Sequence, residues 1–209
     1  MLRRMVKEAI NRNLKGLESL AGVPGTLGGA LFMNAGAYGG EISKYFVSAK
    51  IMNMKGEEIE VLKDNINFSY RASTFPRDCI LLEACFKCEE GNSNKIENDK
   101  NKFSISRENN QPLNYRSAGS IFKNPTENLA AGYLIDQAGL KGLNQGRAMI
   151  SDKHANFIVN LGGAKSSDVI SLIKIIKDKV SLKFNVLLNL EIKLVGFKKE
   201  TLIELGFYE

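Results

Sequence analysis

Residues 22–40 read Gly-Val-Pro-Gly-Thr-Leu-Gly-Gly-Ala-Leu-Phe-Met-Asn-Ala-Gly-Ala-Tyr-Gly-Gly, and seven of the chain's nineteen glycines fall inside this window. Glycine inside regular structure costs roughly 0.5–1 kcal/mol relative to alanine, so a purely structural segment has little use for such a run. The run makes sense where backbone comes close to another group and offers bare N–H donors. It lacks the Lys-Ser/Thr ending of a P-loop and the GxGxxG spacing of a dinucleotide fingerprint. The apolar stretch Ala30–Met33 places the glycines beside buried structure, not in a flexible linker. Two readings remain: a tight turn packing a helix against a sheet, or a ligand cradle. The glycine density, with Pro24, Thr26, Asn34 and Tyr38 in the same window, favours the cradle.

A chain of 209 residues is one large domain or two small ones, and 44% apolar with 25% charged residues is ordinary globular composition. The net charge of +6 comes from scattered lysines with sparse aromatics, so it reads as a solvated surface and no nucleic-acid partner is expected. An acidic small substrate, such as a nucleotide, suits that positive field. No apolar run is long enough to cross a bilayer, so no membrane partner is expected. Met1–Ile10 reads as an amphipathic helix with Leu2, Met5, Val6, Ala9 and Ile10 on one face. It lacks the apolar core of a secretion signal, and Glu8 with the absence of serine argues against a mitochondrial presequence. Cys79, Cys85 and Cys88 are odd in number, which argues against a disulfide framework. No second pair or nearby histidine completes a metal site with Cys85 and Cys88. Strand-like surroundings predict buried thiols in a reducing, cytoplasmic compartment.

In chain order, the first helix is predicted to end near Asn13, before Gly16. Lys44–Met54 alternates as a strand with Tyr45, Val47, Ala49 and Ile51 on one face, turns at Lys55-Gly56 and returns through Glu58–Leu62. Ile66–Arg71 is a short polar segment with an arginine beside an aromatic, and Ile80–Glu89 is another strand. Gly91–Lys102 is polar and asparagine-rich, and reads as an exposed loop and the best domain boundary. Beyond it, Asn128–Gln137 is helical until Gly139, and Arg147–Ile150 and Asn156–Asn160 are strands. Ser166-Ser167-Asp168 starts a helix that buries Val169, Leu172, Ile173, Ile176 and Val180, and Leu187–Val195 is a final strand.

Three residues are candidates for chemistry. Ser120 follows Gly119 where backbone can approach a ligand, yet it fits no nucleophile elbow and is equally a turn hydroxyl. Glu191, between Leu190 and Ile192, is either on a solvated strand face or turned into a site with a raised pKa. Arg71, after Phe68 and Tyr70, is either a surface charge or a rigidly held guanidinium aimed at an anion.

Taken in order, Gly22-Val-Pro-Gly-Thr-Leu-Gly-Gly-Ala, Asn34-Ala-Gly-Ala-Tyr-Gly, Tyr70-Arg71, Gly119-Ser-Ile-Phe-Lys-Asn-Pro, His154-Ala-Asn-Phe-Ile and Leu190-Glu-Ile-Lys resemble one family, from about Leu17 to Gly196. That family is the UDP-N-acetylenolpyruvoylglucosamine reductases, in the shorter type. The resemblance implies an α+β chain. Residues 1–90 are then the second lobe of a vanillyl-alcohol-oxidase (PCMH-type) FAD-binding domain, 91–102 a linker, and 103–187 an α+β substrate-binding domain. Residues 188–209 are then a strand returning to the FAD lobe plus a tail. It implies NADPH reducing FAD, and hydride passing to the enolpyruvyl double bond of UDP-GlcNAc-enolpyruvate to give UDP-N-acetylmuramate for peptidoglycan. No obligatory protein partner is expected. By the same resemblance Ser120 is the acid that protonates carbon, while Arg71 and Glu191 stabilise the enolate-like intermediate. Pro24, Gly25, Thr26, Gly28, Gly29, Asn34, Ala35 and Gly36 contact flavin. Tyr38, Lys123, Asn124 and His154 lie on the substrate side. Family members carry an N-terminal FAD-gripping lobe before the point where this chain opens. The expectation is therefore a shortened form, with a UDP-sugar-binding chain that does not turn over as the alternative.

Overall fold

The computed structural model describes residues 1–204, and the chain divides into two compact units, Met1–Arg107 and Glu108–Glu209. In the first, helix Leu2–Asn11 buries Leu2, Val6 and Ala9, on the apolar face its sequence spacing predicts. A three-stranded antiparallel sheet follows, with Phe46–Asn53 between Glu58–Leu62 and Cys79–Phe86. The predicted alternation on the central strand is wrong at its start. Phe46, not Tyr45 or Val47, enters the core at 1% exposure, and Val47 is 39% exposed. The register shifts between Phe46 and Ser48, and a bulge of this kind turns the side chains before it to the other face. Phe46 is then edge-on to Phe68, Phe75 and Phe86 at 5.6, 5.7 and 6.1 Å.

Two further expectations fail here. Gly91–Lys102 is not a loop: Ser93–Asn110 is a helix. Asn92 Oδ1 accepts the Lys95 N–H at 3.1 Å, Ile96 is buried, Phe103 stacks on Tyr38 at 5.0 Å, and Arg107 Nη1 donates to the Gly22 carbonyl at 2.6 Å. Residues 96, 103 and 107 are spaced i, i+7, i+11, one narrow stripe, and those contacts override the weak intrinsic propensity of an asparagine-rich segment. The division between units accordingly falls after Arg107 and not within 91–102. The cysteines are not buried thiols either: Cys85 is exposed and Cys79 and Cys88 are half-buried, since Cys79 opens an outer strand, Cys85 lies near its other end and Cys88 just follows it. Partial burial pushes the Cys79 and Cys88 thiols up.

The second unit has an antiparallel sheet in the order Arg116–Ser120, Phe157–Asn160, Ala148–Ile150, Asn144–Gln145. Helix Ser166–Phe184 covers it and buries Leu172, Ile173, Ile176 and Val180; Val169 is only partly buried. Asp168 accepts the Lys165 and Arg147 N–H groups at 3.0 and 3.2 Å, which caps that helix and holds its carboxyl below the usual range. The predicted helix from Asn128 begins instead at Ala131, whose N–H is accepted by Asn124 Oδ1 at 3.1 Å.

Leu187–Val195 is not a full strand: only an isolated bridge, Phe122 to Leu190, forms along it. Leu188 is buried in the core of the second unit, with Leu190, Ile192 and Leu194 packed against it. Alternate residues from Leu188 to Leu194 thus face one core, while the pairing reaches only Ile121–Lys123. The pairing is Lys123 N–H to Asn189 O at 2.8 Å, a bridge between Phe122 and Leu190, and Glu191 N–H to Ile121 O at 2.8 Å. The tail beyond residue 204 lies outside the described residues.

Candidate functional site

The glycine window folds as a turn, a short helix and a hairpin. Thr26 caps helix Leu27–Phe32, its Oγ1 accepting the Gly29 N–H at 3.1 Å. Gly25 has φ +127°, which side chains rarely adopt, and no atom lies within 4 Å of where its Cβ would be. Backbone there faces open space, as a cradle requires. Gly36 is constrained differently: a Cβ would lie 2.8 Å from the Gly40 carbonyl oxygen across the hairpin Gly36–Ala37/Gly40–Glu41.

Asn34 sits at φ +43° and is 1% exposed. Its Nδ2 donates to the Ser69 carbonyl at 3.1 Å, and its Oδ1 accepts the Ser43 N–H at 3.4 Å. Ser73 Oγ donates to the Phe32 carbonyl at 2.9 Å. The two contacts pin both arms of the hairpin Phe68–Ser69/Ala72–Ser73 to the end of the glycine-window helix. Tyr70 and Arg71 form its tip, with Arg71 in the left-handed region at φ +56° and its guanidinium 5.0 Å from the Tyr70 ring centroid. Neighbouring Ala35 has its N–H bonded to Ala30 O at 2.7 Å and its carbonyl to the Ile42 N–H at 2.9 Å.

In the second unit, the strand carrying Ser120 is irregular. Its pairing with Phe157–Asn160 shifts register between Ser117 and Ser120, and Gly119 turns at φ +82°. Ser120 and Glu191 are both half-buried. The Glu191 N–H bonds to the carbonyl of Ile121, so the carboxylate residue lies one step along the pairing from Ser120. His154 belongs to the turn Ser151–Phe157: its Nδ1 accepts the Asn156 N–H at 3.2 Å and its ring lies 4.8 Å from that of Phe157. Burial, aided by the nearby Lys141 charge, holds His154 below its ordinary 6.5.

That shift has a sign. The folded state prefers neutral imidazole, so the unfolded chain binds more protons below pH 6.5. The contribution is complete above 6.5 and is lost as pH falls through the lower folded pKa. His154 is the only histidine. A proton NMR titration should show one imidazole with an apparent pKa under 6.5, and His154→Gln should flatten the acid limb of the thermal-midpoint profile. An imidazole titrating at or above the ordinary value defeats this reading.

The family model for the UDP-N-acetylenolpyruvoylglucosamine reductase C-terminal domain matches residues 111–195, inside the second unit. The chain is 41% identical to the reductase of Clostridium tetani over 95% of its own length and 43% identical to that of Enterococcus faecalis over 90%. The crystal structure of the reductase from Thermus caldophilus superposes with a TM-score of 0.80 at 37% identity, covering 92% of this chain and 68% of that one. The chain belongs to the UDP-N-acetylenolpyruvoylglucosamine reductase family. It spans 65% of the length of the Clostridium tetani relative and 63% of the Enterococcus faecalis one.

Within this reductase-family chain, the residues singled out from sequence fall into two groups. Pro24, Gly25, Thr26, Gly28, Gly29, Asn34, Ala35, Gly36, Tyr38 and Arg71 lie in the first unit; Ser120, Lys123, Asn124, His154 and Glu191 lie in the second. The second unit brings Ser120, Lys123 and Glu191 onto one short stretch of pairing. Several members also carry structural work that sequence reasoning missed. Asn34 clips the arginine hairpin, Asn124 caps a helix, and Tyr38 seats Phe103. Asn156 stood in the His154-Ala-Asn-Phe-Ile segment and was given no role of its own. Its signal was one amide standing between Ala155 and the apolar run Phe157-Ile158-Val159.

Proposed function

We propose that the chain carries the reductase chemistry of its family, converting UDP-GlcNAc-enolpyruvate to UDP-N-acetylmuramate in peptidoglycan precursor synthesis, in the cytoplasm. The proposal includes FAD as cofactor, NADPH as hydride donor, and the first unit as the second lobe of a vanillyl-alcohol-oxidase (PCMH-type) flavin domain. The observation that carries it is the pairing that sets Glu191 beside the Ser120 strand inside the family-matched segment.

The glycine window fits a flavin: at Gly25 the backbone is open where a Cβ would stand, and the Thr26 cap holds that turn in place. Pro24–Gly29 would hold it. Asn34, whose amide is spent on Ser69 and Ser43, would shape the cradle without touching the ligand. When bound, reduced FAD supplies a hydride to the enolpyruvyl carbon. The protein's own residues then manage charge and proton. Hydride addition beside a carboxylate leaves negative charge there, which the Arg71 guanidinium offsets. The Ser120 hydroxyl delivers a proton to carbon; as a weak acid, it must be held within hydrogen-bond reach. Glu191 assists on the enolate side, and Lys123 and His154 serve the nucleotide.

A second reading is UDP-sugar binding without turnover: the family model's match, residues 111–195, falls in the second unit alone. Purified chain incubated with FAD separates the two. A yellow protein bleached by NADPH and recoloured by the enolpyruvyl nucleotide supports the reductase. UDP-sugar binding by calorimetry without flavin absorbance supports the second reading, and neither signal rejects both.

A further inference from the structure

Asn156 is 4% exposed and makes an unusual pair of contacts for a side chain. Its Oδ1 accepts the Phe122 N–H at 2.9 Å, and its Nδ2 donates to the Phe122 carbonyl at 2.8 Å. One primary amide thus saturates both backbone groups of a single residue, as a neighbouring strand would. The Asn156 backbone adds a third bond, its carbonyl accepting the Ile121 N–H at 2.8 Å. The clasp sits where it is needed. The regular ladder is disrupted by the register shift between Ser117 and Ser120, with Gly119 at φ +82°. Asn156 restores pairing just beyond that break. On the far side of the same short segment, Ile121 O accepts from Glu191 and Lys123 N–H donates to Asn189.

We infer that Asn156 is a positioning residue for the reductase reaction: its amide locks the Ile121–Phe122 backbone and thereby sets Ser120 and Glu191 relative to each other. This rests on the reductase reading. A buried amide with both ends satisfied is rigid, and removing it leaves the Phe122 N–H and carbonyl buried without partners. No other residue type supplies both a donor and an acceptor in that geometry at that length. Alanine removes both contacts. Aspartate keeps the shape and the acceptor but, ionised, removes the donor.

The test has two arms, each with Asn156→Ala and the near-isosteric Asn156→Asp. The first is amide hydrogen exchange on the full chain. Exchange should accelerate by at least about tenfold at Ile121, Phe122 and Glu191, with the amides of helix Ser166–Phe184 unchanged. Unchanged exchange at Phe122 and Glu191, or faster exchange throughout the unit, overturns the clasp. The second arm separates half-reactions by stopped flow. Reoxidation of reduced enzyme by the enolpyruvyl nucleotide should slow by about 10–100-fold, the scale of loss when reacting groups are misplaced by about an ångström, while reduction by NADPH is unchanged. Equal losses in both halves, or none, overturn the positioning role. A wild-type chain that takes up no flavin and does not turn over defeats the reductase reading and the catalytic half of this inference with it, while the exchange arm still decides whether the clasp holds the segment.

Discussion

Ser120→Ala is expected to leave NADPH-driven flavin bleaching within about twofold of wild type and to slow reoxidation by the enolpyruvyl nucleotide by about 10²–10⁴-fold, the span of a positioned general acid. The asymmetry follows from the role proposed for the hydroxyl. Reduction by NADPH requires no proton on the substrate carbon, whereas saturation of the enolpyruvyl bond requires one in the same turnover. The fold should tolerate the change. Ser120 is half-buried, no backbone bond depends on its hydroxyl in the contacts described above, and alanine fits the same strand position opposite Phe157. Rapid-mixing absorbance of each half-reaction is the measurement. Equal impairment of both halves assigns the proton to another group.

Arg71 offers a test in which activity and stability move apart. Arg71 holds φ +56° at the tip of its hairpin, a conformation that costs residues with a Cβ about 1–2 kcal/mol and glycine almost nothing. Arg71→Gly should therefore be more stable than Arg71→Ala by about 1 kcal/mol, seen as a higher denaturant midpoint at equal m. Both should lose about 10²–10³-fold in the reoxidation half-reaction, as expected when one preorganised donor to a developing anion is removed. A chain selected for stability alone would favour glycine at this position. Strain kept at a residue carrying a guanidinium is what the proposed role of Arg71 would account for. If Arg71→Gly and Arg71→Ala prove equally stable, the turn is not strained, and if either keeps full reoxidation, the charge argument fails.

Much of this was legible before any coordinates. The face of the first helix was read from spacing, since Leu2, Val6 and Ala9 recur with the helical period and are buried. The same holds for Leu172, Ile173, Ile176 and Val180. The helix at Ser93–Asn110 was not legible, because its anchors are three widely spaced residues in a polar background and their partners lie elsewhere in the first unit. The bulge at Phe46–Ser48 was equally hidden: a pattern of period two does not reveal where one residue is added. At Leu187–Val195 a full strand was expected and only a bridge forms, because pairing depends on a partner elsewhere in the chain.

The amino-acid order by itself determined the family, through short segments in a fixed order: the glycine window, Tyr70-Arg71, Gly119–Pro125, His154–Ile158 and Leu190–Lys193. Tertiary structure alone decided how those segments are held. Asn34 and Asn156 look like ordinary polar residues in the chain, and become clips for the Arg71 hairpin and the Ser120 strand only once Ser69, Ser43 and Phe122 lie within reach. The physical reason is that a buried amide has no role until its partners are supplied by residues distant in the chain, and no local pattern encodes that distance.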